Sequence, residues 1–239
     1  METEMRQELL SMGAALGVDL MTFGVLDERL YLREENRGLL WESGYRWSIS
    51  LASRLLESYC ELLLHHTDEG LMGYFHAYCT NVAERLDDAG QRICATLECR
   101  GFRAFLMPGR GKGYRKGMPG VISHVALARL SGMGTMGISG MLLAPEFGPR
   151  VRLATILTSC PLAKTPTILQ KEVCADCGAC QKCCPVECIQ GKRFDPNCPE
   201  VQYIDKEACG QYRDKRQQEV GTRFCNLCMA VCPVGKGIS

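Results

Sequence analysis

Cys174, Cys177, Cys180 and Cys184 stand in the stretch C-A-D-C-G-A-C-Q-K-C-C-P, which closes on Pro185. Thiolates at two-residue gaps converge on one polymetallic centre, and C-x2-C-x2-C-x3-C-P is the spacing of a loop around a 4Fe–4S cluster. In chains with two clusters the fourth cysteine of such a run ligates the other cluster, so the motif predicts a second one. A partner motif follows at Cys225, Cys228 and Cys232, again closed by a proline, Pro233. One C-x-x-C would carry little weight, whereas two runs that each end in Cys-Pro are specific. Zinc on the second run is the competing reading, since thiolates also suit a tetrahedral zinc ion.

The two runs are not copies. Symmetry would place a cysteine three residues before Cys225, and that position is Thr222. The first cluster is expected on Cys174, Cys177, Cys180 and Cys232. The second takes Cys184, Cys225 and Cys228 and needs one more thiol from the intervening segment. Cys209 and Cys198 both qualify. Cys209 is preferred, because a short helical piece between IDKEA and GQYRDKR can fold it back, while Cys198 sits in the proline-bracketed turn DPNCPE. Cys183 and Cys188 read as spare thiols.

The elements that must position these cysteines lie mostly ahead of them. Apolar periodicity predicts helices over 4–16, 53–66, 72–98 and 121–130, the first ended by Gly17. Strands are expected over 18–25, 45–52, 102–108, 141–144 and 151–157, the last two flanking the turn PEFGPR. Helices alternating with strands over about 165 residues argue for one layered α/β domain. Regular periods fade after Ile168, which puts a boundary near 165–169 and divides the chain into 1–167 and 168–239.

Composition narrows the function classes. The chain has 239 residues, sixteen cysteines and a net charge of +1. That charge advertises neither nucleic acid nor an anionic membrane. METEMRQELL is not a signal peptide, and no run approaches the roughly 18 apolar residues of a membrane span. Eleven cysteines lie after residue 173; the other five, Cys60, Cys79, Cys94, Cys99 and Cys160, share no spacing and read as small apolar residues in or near a core. Metal-bound thiolates in a reducing cytoplasm fit this partition better than disulfides.

The segment from His124 to Leu162, HVALARLSGMGTMGISGMLLAPEFGPRVRLATILTSCPL, resembles the stretch that precedes the ferredoxin module of epoxyqueuosine reductases and corrinoid-dependent reductive dehalogenases. Their small-residue loop is matched by Ser131 to Gly137, continuing to Gly140, Leu142 and Leu143. The helix with Tyr74, His76 and Tyr78 that runs on to GFRAFLMP also resembles their mid-domain, and the order of elements agrees from about 15 to 235. The resemblance implies an α+β fold, with a nitroreductase-like α/β core followed by a bacterial-ferredoxin-like dicluster domain. It further implies two 4Fe–4S clusters that feed electrons to a corrinoid of cobalamin type. The helical-repeat extension of epoxyqueuosine reductases, their Asp-Tyr-His acid motif and a twin-arginine leader have no counterpart in these residues, so transfer RNA is not the expected substrate.

Other features are weighed against plainer roles. Gly132, Gly134, Gly137 and Gly140 form a loop whose backbone could approach a cofactor closely, or simply turn tightly. The loop formally contains GxGxxG, but it follows a helix and leads into a strand, the reverse of a dinucleotide site. Arg110, Lys112, Arg115 and Lys116 in a glycine-rich loop could clamp a phosphate or carboxylate, or be a solvated loop. Tyr74 and Tyr78 share a helix face and are the candidate proton donors, with helix packing as the alternative. His65 and His66 are expected to meet terminal carbonyls, and His124 to be a satisfied core residue. No Ser-His-Asp constellation or paired-carboxylate motif stands out. Two functions follow. One is an iron–sulfur oxidoreductase fed by an external donor (ferredoxin, flavodoxin or reductase) and acting on a corrinoid or small-molecule acceptor. The other is an electron-transfer adaptor that docks a redox protein and binds no organic cofactor.

Overall fold

The computed structural model describes residues 2–26, 40–109, 123–165, 172–193 and 204–237. In chain order the elements are α1 (Glu2–Ala15), β1 (Leu20–Val25), β2 (Trp47–Arg54), α2 (Glu57–Glu61) with a 3-10 turn (Leu62–His65), α3 (Glu69–Cys99) and β3 (Ala104–Met107). Then come α4 (His124–Leu130), β4 (Thr135–Met136), β5 (Leu142–Leu143), β6 (Val151–Thr158), α5 (Ala179–Lys182), α6 (Lys206–Val220) and α7 (Leu227–Ala230). The fold is mixed α+β.

The chain forms two compact units that interleave in sequence. Met1–Ser53, Val82–Met133 and Arg152–Gln170 make the first; Arg54–Asn81, Gly134–Val151 and Lys171–Ser239 make the second. The expected division at 167/168 treats the domains as consecutive. The units differ from it because 54–81 and 134–151 pack with the cysteine region instead of the sheet.

In the first unit an open sheet runs β1-β2-β6-β3. β1 pairs antiparallel with β2, Phe23 opposite Ile49, and β3 pairs antiparallel with β6, Leu106 opposite Ile156. One face buries Phe23, Ile49, Leu51, Ala154 and Ile156 against Leu9 of α1 and against Leu86, Ile93 and Leu97 of α3. Those α3 residues recur at helical spacing, which is why the helix lays one stripe on the sheet. Each such fully buried side chain contributes about 1.5–3 kcal/mol. The other face packs Leu157 and Met107 with Leu127 of α4. Thr22 and Ser50 on that face bond Ser131, the Thr22–Ser131 hydroxyls being 2.6 Å apart.

The helix predicted over 53–66 begins later, as α2 (Glu57–Glu61) continued by the 3-10 turn (Leu62–His65). β2 continues to Arg54. Leu55 N–H then donates to the Arg150 carbonyl at 2.8 Å, which holds the chain extended past the point where leucine periodicity suggests a helix. The piece carrying Cys209 is longer than expected, a 15-residue helix capped by Asp205, whose carboxylate accepts from Glu207 N and Ala208 N.

Among the described residues the second unit has only a two-stranded sheet. Its hairpin β4–β5 pairs Thr135 with Leu143 and Met136 with Leu142. α7 packs on α5, α2 and the 3-10 turn. Its small core is Ile138, Cys180, Cys188 and Ile189, with Cys174, Cys184, Cys209 and Cys228 packed around them.

Candidate metal centre

The two cysteine runs are built alike through their short helices as far as Cys184 and Cys232. Each opens with a left-handed residue directly before a four-residue helix: Gly178 (φ +69°) before α5 and Asn226 (φ +44°) before α7. Gln181 N–H and Lys182 N–H donate to the Gly178 carbonyl; Met229 N–H and Ala230 N–H donate to that of Asn226. Cys184 N–H bonds Gln181 O at 3.2 Å, and Cys232 N–H bonds Met229 O at 3.3 Å. Pro-Val follows in both, then a second left-handed residue, Glu187 (φ +49°) or Gly235 (φ +69°). The winding forced by these turns points the thiols of each run inward together.

Two cavities result. The first, about 380 Å³, is lined by Cys174, Cys177, Cys180 and Cys232 together with Cys228, Gly137 and Ile138. The second, about 530 Å³, is lined by Cys184, Cys209, Cys225 and Cys228, together with Cys188 and Tyr212. Ser139 and Cys228 line both, so the cavities adjoin. The sequence-derived foursomes are thus each brought to one cavity, with Cys209 supplying the thiol that Thr222 does not. Cys198, and Arg110, Lys112, Arg115 and Lys116 of the basic loop, lie outside the described residues.

Bare thiols crowd uncomfortably here. Burial pushes Cys228 up to about 12 and Cys183 up to about 11, and neighbouring thiolates add to both shifts. Cys180 is raised by burial and then by Cys174 and Cys177. A positively charged guest relieves that repulsion and holds the sulfurs as thiolates. An all-sulfur donor set suits zinc or an iron–sulfur cluster. Among the described residues no three of His, Cys, Asp and Glu gather closely enough for a single ion. Backbone N–H groups of Leu227 and Val234 bond the Cys225 and Cys232 sulfurs, each offsetting part of the upward shift.

Arg150, the last residue of PEFGPR, is only 3% exposed. Its guanidinium donates to Val234 O at 2.8 Å and to Cys232 O at 2.5 Å, clamping the end of the second run. Gly148 and Gly235 meet beside it: a Cβ on Gly148 would lie 2.0 Å from Val234 O, and one on Gly235 would lie 2.3 Å from Phe147 C. Thr222, 2% exposed, fills the Cys174-equivalent position, bonding His76 Nδ1 at 3.1 Å and accepting from Phe224 N at 3.3 Å. Cys188, read from the sequence as a spare thiol, lines the second cavity, and Arg150 and Tyr212 gave no site signal in the sequence. Only the C-P-V-E-C spacing gave a signal for Cys188, and a lone arginine after a turn gives none.

The remaining expected site residues are placed as follows. Gly132 (φ +83°) ends α4, with Gly132 N–H on Arg129 O and Met133 N–H on Ala128 O, a Schellman closure. Gly134 and Gly137 face Leu143 across the hairpin, and Gly140 (φ +70°) closes its turn onto Gly137 O. Of the four, Gly137 alone lines a cysteine cavity. Tyr74 is 71% exposed and lines neither cavity. Tyr78 stacks on Tyr59 at 3.9 Å and its hydroxyl accepts from Leu56 N at 2.8 Å. His66 differs from expectation. Its Nε2 lies 2.9 Å from the Tyr212 hydroxyl, because α6 approaches the 3-10 turn through Arg216, which donates to His66 O. His124 bonds Thr155 at 2.8 Å and is held below the usual histidine range by burial, a satisfied interior residue. Cys60, Cys79 and Cys160 are buried at 1% exposure, but Cys99 at the end of α3 is exposed, which corrects its reading as a core residue.

No family model matches the chain. Over 122 residues it is 28% identical to epoxyqueuosine reductase of Staphylococcus aureus, covering 50% of this chain and 31% of that protein. Over 128 residues it is 33% identical to tetrachloroethene reductive dehalogenase of Sulfurospirillum multivorans, covering 49% and 25%. The chain therefore spans between a quarter and a third of the length of these relatives. Solved structures agree in fold. A catabolic reductive dehalogenase superposes with a TM-score of 0.72 at 15% identity, over 100% of this chain and 32% of that one. Epoxyqueuosine reductase from Streptococcus thermophilus gives 0.59 at 15% identity, over 97% and 66%. The chain is related to both groups of redox enzymes.

Proposed function

We propose that this protein is an iron–sulfur oxidoreductase that passes low-potential electrons through two 4Fe–4S clusters. The acceptor is a corrinoid of cobalamin type, or a small substrate, bound by a nitroreductase-like α/β core. Cys174, Cys177, Cys180 and Cys232 hold one cluster; Cys184, Cys209, Cys225 and Cys228 hold the other, in a ferredoxin-like region over 168–239. Such clusters supply one-electron chemistry over a wide potential range set by charge, hydrogen bonds and exposure. The observation that carries this reading is the pair of adjoining cavities, one lined by Cys174, Cys177, Cys180 and Cys232 and the other by Cys184, Cys209, Cys225 and Cys228, with Cys228 on the wall of both. The residues fit the group: the donors are all sulfur, their charges need neutralising, and backbone N–H groups already address two of them. Arg150 steadies one ligand and the capped helix α6 presents another. An external ferredoxin, flavodoxin or reductase supplies the electrons, in the cytoplasm.

A second reading, the adaptor without an organic cofactor, is favoured by one observation. Gly132, Gly134 and Gly140 are accounted for by a helix end and a hairpin, without a planar ligand. Anaerobic expression with cobalamin, followed by iron, sulfide and corrinoid analysis of the purified protein, tests both. About eight irons per chain with co-eluting corrinoid are expected. Iron without corrinoid selects the adaptor, and absence of iron overturns both readings.

A further inference from the structure

The second cavity holds more sulfur than one cluster needs. A cubane takes four cysteines, yet Cys188 joins Cys184, Cys209, Cys225 and Cys228 in the lining. Cys188 is 5% exposed, and its Sγ lies 3.4 Å from that of Cys184. Two thiolates on one tetrahedral metal, at about 2.3 Å each, are separated by about 3.8 Å; thiolates on different irons of a cube stand further apart. The Cys184 and Cys188 sulfurs therefore address one corner of the site.

The chain puts Cys188 there by construction. After Cys184, Glu187 N–H closes a turn onto the Cys184 carbonyl at 3.2 Å, with Glu187 in the left-handed region. The Cys188 carbonyl then accepts from Asp205 N–H at 2.8 Å, and Ile189 bridges Ile204. Asp205 caps the helix that carries Cys209, so the backbone of Cys188 is tied to the element presenting another ligand. The matching residue of the second run, four after Cys232, is Lys236. The first cavity therefore has no extra thiol at that place, its fifth sulfur being Cys228, which lines both cavities.

We propose that Cys188 is a reserve ligand of the second cluster, able to take the corner of Cys184. This rests on the two-cluster reading above. It gives the crossing corner, where the two sites share a segment of chain, a second sulfur that keeps the cluster bound when Cys184 is removed or blocked.

The test uses the full chain, purified anaerobically as wild type, Cys184→Ala, Cys188→Ala and the double variant. Iron per chain and the electron paramagnetic resonance spectrum of the dithionite-reduced protein are read for each. Both single variants are expected to keep wild-type iron, and the double variant to lose it about twofold. The surviving first cluster reports that the double variant is folded. The spectrum of Cys184→Ala is expected to shift, since one ligand has changed, while that of Cys188→Ala stays at wild type. A twofold loss in Cys184→Ala alone, or in Cys188→Ala alone, overturns the proposal. Wild-type protein with only one cluster's worth of iron instead overturns the two-cluster reading.

Discussion

The run from Cys174 to Cys188 and the run from Thr222 to Lys236 share a backbone but are fastened differently. From the left-handed residue before each short helix to Cys184 and Cys232, hydrogen bonds match pair by pair, and a left-handed residue follows Cys-Pro-Val in both. Outside that stretch they diverge. The second run has a buried threonine where the first has Cys174, and it ends in a glycine pressed against Phe147 and Gly148 under the Arg150 clamp. The first run ends in Glu187 and Cys188, tied to the cap of α6. The repeat persists where thiols must converge and breaks where each run meets the rest of the unit. A thiol missing from the repeat can then be matched by one from outside it, here Cys209 on the wall of the second cavity.

The largest effects should come from the fastening of the second run. Arg150→Met leaves the Cys232 and Val234 carbonyls, both held by one buried guanidinium, without their donors. At about 1–3 kcal/mol for each orphaned buried group, a loss of several kcal/mol is expected. Urea unfolding should show the midpoint falling sharply, with the first site losing iron before the second. Equal loss from both sites would remove the distinction between the two fastenings. Gly235→Ala is expected to be nearly as damaging, because its Cβ would lie 2.3 Å from backbone that cannot swing away.

Thr222 offers a sharper comparison at smaller cost. Thr222→Val strands His76 Nδ1 and Phe224 N, so about 1–3 kcal/mol of stability should be lost with iron unchanged. Thr222→Cys makes the sequence symmetrical but should not rescue iron in Cys209→Ala, because Thr222 lines neither cavity. Recovery of the second cluster would show that symmetry of sequence, not position, decides ligation.

How much of this was legible in the chain follows from range. The spacing of Cys174, Cys177, Cys180, Cys225 and Cys228 is local, so their grouping could be read directly, although the four-residue helices that carry it were not. Cys209 could be weighed against Cys198 only by the helical character around it, and the structure seats Cys209 in the cavity. The sheet order, with β6 between β2 and β3, and the transfer of 54–81 and 134–151 to the cysteine unit depend on long-range packing that periodicity does not encode. Arg150 was invisible for the same reason: its partners lie more than 80 residues away. The glycines left two readings open, since a loop rich in them looks the same whether it faces a ligand or, as Gly134 does, a neighbouring carbonyl.

A smaller contrast depends on pH. His66 meets Tyr212, a wall of the second cavity, and is held below the ordinary histidine range by burial and then by the Arg216 charge. The unfolded chain therefore binds the extra proton first. The stability involved is present above about pH 6.5 and is lost as pH falls through the depressed folded value. The urea midpoint should drop between pH 7.5 and 5.5, and less steeply in His66→Gln. His124 titrates in the same sense and is common to both proteins, so only the difference between them reports on His66.

The smallest expected effects lie in the left-handed residues themselves. Gly178 and Asn226 occupy equivalent positions, as do Gly235 and Glu187, and in each pair one run uses glycine and the other does not. An ordinary side chain in that region costs roughly 1–2 kcal/mol, and asparagine less because its short amide tolerates it. Glu187→Gly should therefore stabilise by up to about 1 kcal/mol, net of the entropy glycine adds to the unfolded chain, and Asn226→Gly by a few tenths at most. The order Glu187→Gly above Asn226→Gly, read from urea midpoints of iron-loaded protein, is the outcome that matters. The reverse order would mean that the Glu187 side chain makes a compensating contact in the first run, and the two runs would then differ inside the repeat as well as at its edges.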